Sequence, residues 1–418
     1  MATNGTTQVA DACVPTSRAL GHLEPRHSVT PESPSEAAHV LSEARIAGRA
    51  VVPWGNGTAQ THGANPNKYD VVCLTHGMAS IVEYEPADLV LTIGAGAMIA
   101  DVQATLREHG QFLALDGVPA AATIGGIVAS NRSGSSRLLY GTARDLVLGI
   151  TAALPNGDVV RSGGRVVKNV VGYDLNKLHI GALGTLGLIC EVTVKVHPRP
   201  RAEASVVGRF TSLESASTVA HALARSNLSL RAVDISTDLD EPPAAFTTVV
   251  AAWCSGWPSA VSRQSREVAM AFRDAGAISV DALSGDDHDA FRASIEKHRQ
   301  RPNRVKLAVL PDRLGQLQVQ VARVLRDAGV ANASAIALAG IGVMHVGLDC
   351  LDGPLLARLR DMAESASGTC VTEAVPDALR TPELAWGRTR DDFRIMERIR
   401  DEFDPSRTIN PGRFVGGL

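Results

Sequence analysis

Two glycine-bearing bends constrain this chain more than any other feature: Pro53-Trp54-Gly55-Asn56-Gly57-Thr58 and Thr123-Ile124-Gly125-Gly126-Ile127-Val128-Ala129-Ser130-Asn131. The first follows the apolar stretch Ala50-Val51-Val52, which reads as a short strand, and the second is trailed by Ser133-Gly134. Glycine lets a backbone turn sharply and approach a ligand with no Cβ in the way. Successive N–H groups can then face one concavity and hold an anion. The second bend adds Thr, Ser and Asn side chains as neutral donors and carries no lysine. Such a donor set suits a diphosphate whose charge is spread over several hydrogen bonds. Either bend alone reads equally well as an ordinary turn. Two of them, starting at positions 53 and 123, point to a dinucleotide.

A third glycine run is a decoy. Gly94-Ala95-Gly96-Ala97-Met98-Ile99 follows an apolar strand and opens a helical pattern, as a Rossmann fingerprint does. Its third glycine is replaced by Ile99, where close helix–strand packing leaves no room for a side chain. No βαβ pattern surrounds it, and no lysine-bearing P-loop occurs.

The remaining chain sets the scale. At 418 residues it exceeds one ordinary core and accommodates two. Its 41 Lys and Arg against 44 Asp and Glu leave a net charge of −3, which gives no global field to draw nucleic acid or an anionic membrane. Cys13, Cys73, Cys190, Cys254, Cys350 and Cys370 stand singly, so neither a zinc nor an iron–sulfur site is expected and reduced thiols are. The first twenty residues lack the basic and apolar regions of a secretory signal. The longest nearly apolar run, Ala335 to Leu348, is too short to span a bilayer. A cytoplasmic address is expected, with contact to an inner membrane only through partners.

Residues 1–20 read as a flexible tail. Ser33 and Glu36 mark a capping box for a helix bearing Ala37, Val40, Leu41 and Ala44. Strands follow at Val71–Leu74 and Leu89–Ile93, and a helix places Ile99, Val102 and Leu106 on one face. Hairpin signals run from Leu146 to Val160 and on through Leu186 to Val196. His197-Pro198-Arg199-Pro200-Arg201 reads as a domain boundary. Beyond it, Thr211 and Glu214 are placed to cap a helix. Strands near 247–252, 305–310 and 342–348 alternate with helices near 260–274, 314–327 and 354–364. A last helix carries Phe393, Met396, Ile399 and Phe403 on one side.

Three segments now resemble the vanillyl-alcohol-oxidase/PCMH flavoproteins. Pro53 to Thr58 resembles their first FAD diphosphate loop. Thr123 through Tyr140-Gly141-Thr142-Ala143-Arg144-Asp145-Leu146 resembles the second. Gly181-Ala182-Leu183-Gly184-Thr185-Leu186-Gly187-Leu188-Ile189 resembles the segment lining the adenosine half. The string Lys168-Asn169-Val170-Val171-Gly172-Tyr173-Asp174-Leu175, with the tail Asn410-Pro411-Gly412-Arg413, is similar to the glycolate oxidase D and E subunits, the E subunit above all. The resemblance implies an α+β fold: a PCMH-type FAD-binding domain of two α+β subdomains over 21–200, an α+β cap over 201–388, and a C-terminal segment, 389–418, returning to the FAD domain. It implies FAD contacts at Pro53, Trp54, Gly55, Asn56, Gly57, Thr58, Thr123, Gly125, Gly126, Ala129, Ser130, Asn131, Gly134, Tyr140, Gly141, Asp145, Lys168, Gly184, Thr185, Gly187, Ile189 and Asn410. A solvated surface charge accounts for Lys168 equally well.

Relatives of this kind often attach flavin through a histidine in the first loop. None precedes His62 here, so non-covalent FAD is expected. Oxidising a 2-hydroxy acid also needs a cation for the carboxylate and a base for the hydroxyl proton. Related D-2-hydroxyacid dehydrogenases bind a metal through closely spaced cap histidines. The matching stretch, Ala339-Gly340-Ile341-Gly342-Val343-Met344-His345-Val346-Gly347, has His345 alone, so no metal is expected and His345 reads as a core residue. Arg301 and Arg304 are candidate carboxylate clamps that read more simply as surface groups, as does the helical face Glu296-Lys297-His298-Arg299. Arg304 and His345 are thus weak catalytic candidates. The leading expectation is an FAD-carrying subunit working with a D-type flavoprotein and an iron–sulfur subunit on glycolate or another small 2-hydroxy acid. A self-sufficient FAD-dependent D-2-hydroxyacid or alcohol dehydrogenase is the alternative, and a flavin-free structural partner a third reading.

Overall fold

The computed structural model describes residues 18–165, 173–238, 248–298, 301–330 and 332–418. The tail before Arg18, Lys168 with the rest of 166–172, Thr247 and Arg299 lie outside the described residues.

The N-terminal region begins with a three-stranded parallel sheet in the order His27–Val29, Val71–Leu74, Val51–Trp54. Ser33 caps the helix Pro34–Ile46, its Oγ accepting from the Glu36 N–H at 3.2 Å. The Glu36 carboxylate accepts from Glu32 N–H rather than from Ser33, so the expected reciprocal box is displaced by one residue. Ala37, Leu41 and Ala44 of that helix pack on Val51, Val71 and Cys73 and also on Ala153, Leu188 and Cys190. They thereby join the small sheet to a five-stranded antiparallel one, ordered Ile81–Glu85, Val90–Gly94, Leu188–Lys195, Val147–Ala153, Val159–Gly163. The helices Ile99–Glu108 and Ile124–Ser130 close a second core over it.

The decoy glycines take part in packing. A Cβ on Gly94 would lie 2.2 Å from the Met78 carbonyl oxygen, and one on Gly96 would lie 1.9 Å from that of Thr75. Their strand pairs antiparallel on both sides, which is incompatible with a βαβ unit.

After His197–Arg201 the chain builds an eight-stranded antiparallel sheet. Its order is Ser279–Ser284, Ala202–Phe210, Thr248–Gly256, Ala232–Asp238, Ala333–Leu338, Val343–Leu348, Asn303–Ala308, Thr369–Ala374. Helices Leu213–Ala224, Pro258–Asp274, Leu314–Asp327 and Gly353–Ser365 cover one face with apolar side chains such as Val219, Val268, Leu317 and Leu359. The helix Gly285–His298 covers part of the other through Ile295 and Phe291. Ser212, not Thr211, caps the first of these helices, accepting from Ser215 N–H at 3.2 Å. The long apolar run Ala335 to Leu348 belongs to two paired strands joined through residues 339–342, so each strand shares its apolar side chains between two faces. Among the described residues no helix is long and apolar enough to cross a membrane.

The C-terminal helix Phe393–Phe403 is anchored by a charge. Its apolar stripe is only half-buried, whereas Arg400 is enclosed, paired with Asp404 at 3.2 Å and donating to the Ile409 carbonyl at 2.7 Å. Ile409 then bridges Val51 in parallel and joins the N-terminal core. We propose domain limits at His197–Arg201 and near residue 388 on the strength of these separate cores.

One arginine ties the second sheet to the first region. Arg231 pairs with Glu203 at 2.7 Å, stacks 3.7 Å from the Trp253 ring centroid, and reaches across to donate to Ser136 Oγ at 2.8 Å. Phe112 and Tyr140 flank the same guanidinium. Replacing Arg231 with Met removes the ionic partner of the part-buried Glu203 and leaves it the Trp253 indole N–H at 3.1 Å, with an expected cost of about 2 kcal/mol. The expected outcome in a denaturant titration followed by Trp fluorescence is an earlier transition of the second region. An unchanged midpoint would remove Arg231 as the tie.

Candidate active site

The two bends meet. A Cβ placed on Gly55 would lie 2.3 Å from Thr123 Oγ1, so the loops touch through a gap only glycine can leave. Asn56 Nδ2 donates to the Ala121 carbonyl at 2.8 Å, fixing the same contact from one side. Gly125 in turn sits where a Cβ would meet that of Ala95 at 2.7 Å. Together they wall a cleft of about 690 Å³.

Of the sequence-derived cofactor residues, the cleft is lined by Pro53, Trp54, Gly55, Asn56, Gly57, Thr58, Thr123, Gly125, Gly126, Ala129, Ser130, Gly184, Gly187, Ile189 and Asn410. Others lie elsewhere. Asn131 lines a neighbouring cavity, and Gly134 packs on Asp116. Tyr140 stacks 4.8 Å from His197, while Gly141 packs on Asp145, whose carboxylate caps Thr142 N–H at 2.7 Å. Thr185 is buried, its hydroxyl donating to the Ala182 carbonyl at 2.8 Å.

The two bends contribute unequally. In the second, Ile124 N–H and Gly125 N–H donate to the carbonyls of Ala97 and Ala95, and Gly126 N–H donates to Thr123 Oγ1. In the first, the N–H groups of Gly55 through Ala59 have no hydrogen-bond partner among the described residues. Thr75 Oγ1 and Asn410 Oδ1, both from residues lining the cleft, are buried without partners. Buried polar groups are nearly always satisfied, so these two oxygens, beside a half-exposed run of amides, fit a ligand rich in acceptors and hydroxyls.

The C-terminal tail completes the wall. Asn410 Nδ2 donates to the Leu183 carbonyl at 2.6 Å. The Arg413 guanidinium donates to the carbonyls of Gln60 at 2.8 Å and His62 at 3.1 Å, and also meets Gln60 Oε1. Burial, with Arg380 nearby, pushes Arg413 down to about 9. Arg413 was visible in the Asn-Pro-Gly-Arg tail, but nothing in the sequence marked it as the support for the first loop.

Ser130 lines a second cavity, which also takes His62, Gly117, Asn131, Arg132, Ser133, Arg137, Arg304, Lys306, His345 and Glu373. Arg304, Lys306 and His345 occupy alternate positions of paired strands whose other positions, Val305, Leu307, Met344 and Val346, enter the apolar core. Two sequence expectations are therefore corrected. Arg304 is not a surface group: it is partly buried, and burial lowers its pKa. His345 is not an apolar core residue, because strand alternation turns it to the cavity, where its Nδ1 lies 3.1 Å from Glu373 Oε2.

Glu373 gave no sequence signal. Arg304 pairs with Ala374 and Val305 with Thr372, so Glu373 is the extra residue of a bulge, a device that re-aims a side chain. Burial alone would raise its pKa, but His345, Lys306 and His62 hold the carboxyl well below its usual range. Burial, then Lys306, pushes His62 down to about 3.

Comparison with known proteins bears on this geometry. Residues 25–163 match a protein family described as an FAD binding domain. A D-lactate dehydrogenase of Archaeoglobus fulgidus is 26% identical, covering 93% of this chain and 91% of its own. Glycolate oxidase subunit GlcD of Bacillus subtilis is 24% identical, covering 92% and 88%. Glycolate oxidase subunit GlcE of Escherichia coli is 39% identical over 142 residues, 34% of this chain and 41% of that one. A solved structure of alkyldihydroxyacetonephosphate synthase shares the fold at a TM-score of 0.67 and 15% identity, covering 93% of this chain and 77% of that one. The chain has a PCMH-type FAD-binding domain, and its cofactor is FAD.

Two measurements check the site. Gly55→Ala drives a methyl group into Thr123, so flavin affinity is expected to fall at least tenfold, about 1.4 kcal/mol. Adding Thr123→Ala should recover part of that loss. The readout is the flavin-to-protein ratio, with wild-type flavin released by acid precipitation; full flavin retention in Gly55→Ala would refute the contact. The second concerns acid stability. His62 binds a proton near 6.5 when unfolded but only near 3 when folded, so stability falls as pH drops through that window. His179, lowered to about 4 by burial, acts in the same direction. Denaturant titrations at pH 7 and 5 should show a larger loss for wild type than for His62→Asn.

Proposed function

We propose that this FAD-linked oxidoreductase oxidises the hydroxyl-bearing carbon of a 2-hydroxy acid held in the second cavity. The observation that carries the reading is the meeting of Arg304, Lys306 and the His345–Glu373 pair in one cavity that shares Ser130 with the FAD cleft. The first bend, Thr75, Gly184 and Asn410 would hold FAD, without a covalent bond because His62 lies in the second cavity. Bound FAD supplies a two-electron acceptor.

The chain's own residues do the rest. Arg304 offers a planar fork and Lys306 a point charge to the substrate carboxylate. His345 takes up the hydroxyl proton, and Glu373, bound to its Nδ1, orients the ring and stabilises the imidazolium. His62, kept neutral by burial, adds a wall without a competing positive charge.

Full-length likeness to a D-lactate dehydrogenase and to GlcD supports the substrate class. The higher identity to GlcE favours a second reading, in which a D-type flavoprotein and an iron–sulfur subunit accompany this chain and its flavin relays electrons toward a membrane. Anaerobic mixing of the isolated FAD-loaded protein with a panel of 2-hydroxy acids separates the two. Bleaching of the flavin supports the first reading; bleaching only with co-purified partners supports the second. Under the first, His345→Asn should lower kcat by about 100-fold or more, and Arg304→Met should raise KM at least tenfold, about 1.4 kcal/mol.

A further inference from the structure

The second cavity holds more positive charge than one carboxylate needs. Arg132, Arg137, Arg304 and Lys306 all line it, and none has a carboxylate within 4.0 Å among the described residues. The hydrogen bonds of Arg132 and Arg304 go to neutral carbonyls, those of Thr58 at 3.3 Å and Arg301 at 2.8 Å. Arg304 Nε is buried with no partner at all.

The facing anions do not balance this set. Among the described residues Glu373 is the one acidic side chain lining the cavity, and it is engaged by His345 at 3.1 Å. Asp116 and Asp145 act on Arg137 from outside the lining. Asp116 is itself shared with Arg231 and accepts the Ser136 N–H at 3.0 Å, while Asp145 caps Thr142. Crediting Glu373 against Arg132, Arg304 and Lys306 still leaves two positive charges, before Arg137 is considered. Unpaired charge in a partly buried cavity is costly, so a bound anion gains by supplying it.

The cations also fall into two banks. Arg304 and Lys306 stand two residues apart on one face of the strand Asn303–Ala308. Arg132 and Arg137 come from a different part of the chain, the segment that follows the helix Ile124–Ser130. A small monocarboxylate spends its charge on one bank and leaves the other unmet.

We infer that the second cavity takes a dianionic 2-hydroxy acid, its carboxylate at Arg304 and Lys306 and a second anionic group, carboxylate or phosphate, at Arg132 and Arg137. This rests on the function proposed above, so the test separates the two claims. Dissociation constants of non-oxidisable analogues are measured on the FAD-loaded protein from the perturbed flavin spectrum at low ionic strength. Propionate represents the monoanion, succinate the dicarboxylate and 3-phosphopropionate the phosphate arm.

The expected result is at least tenfold tighter binding of one or both dianions than of propionate. Whichever dianion binds more tightly names the second group. Arg132→Gln should shrink the dianion-to-monoanion ratio at least fivefold, and the wild-type comparison stands even where that variant fails to fold. Equal binding of all three analogues overturns the inference. Parallel flavin reduction by lactate, malate and 3-phosphoglycerate shows which claim has failed. Reduction by lactate at least as fast as by both dianions leaves the oxidoreductase reading intact and removes the dianion. Reduction by none of them, together with no binding of any analogue, removes both.

Discussion

The closeness of Gly55 to Thr123 is the constraint on which the site depends. Two loops from different parts of the N-terminal region can enclose a dinucleotide only if their backbones nearly touch, and here the space is smaller than one methyl group. Once they touch, the roles divide. The second loop spends its amides on Ala95, Ala97 and its own threonine, and so becomes a rigid wall. The first keeps a run of five amides without partners among the described residues and can serve as the donor surface. Fixed donors that need no rearrangement lower the cost of ordering a flexible ligand.

The second cavity is built by a different principle. Arg304, Lys306 and His345 occupy alternate positions of strands whose intervening residues are core, so the sheet's own packing holds these three in place. Slipping one strand by a residue would send Arg304, Lys306 or His345 into the apolar layer. The bulge at Glu373 adds the counter-charge without breaking that pattern. Strands therefore present the groups assigned to the reacting end of the substrate, which suits groups that must stay within a few tenths of an ångström of a working geometry.

Much of the candidate FAD cleft was legible because its signals are local. Glycines within a short bend, with small polar residues beside them, state a backbone requirement on the spot, and most of the residues marked from Pro53 to Ile189 line one cleft. The helix Leu314–Asp327 was equally plain from its period. The second cavity was hidden because its meaning is non-local. Arg304 and His345 were read singly, as a surface group and a core group, since nothing in the sequence aligns residue 306 with 345 or turns residue 373 toward both. Tyr140, Gly141 and Asp145, whose motif suggested a ligand, take part in an aromatic stack and a capping interaction outside the cleft lining. Ala202–Phe210 escaped notice because packing on both faces blurs the alternation that marks a strand, and Thr369–Ala374 because its alternate buried positions are Cys370, Thr372 and Ala374, too weakly apolar to stand out.

Asn410 and Arg413 steady segments that precede them by more than two hundred residues, reaching Leu183 and the carbonyls of Gln60 and His62. During synthesis, the ribosome releases the loop, then the entire eight-stranded sheet, and only afterwards the residues that brace the loop. The cleft thus reaches its final form only after translation has passed the cap and delivered residues 410–413, so any ligand that needs the braced loop is captured after the cap has been made.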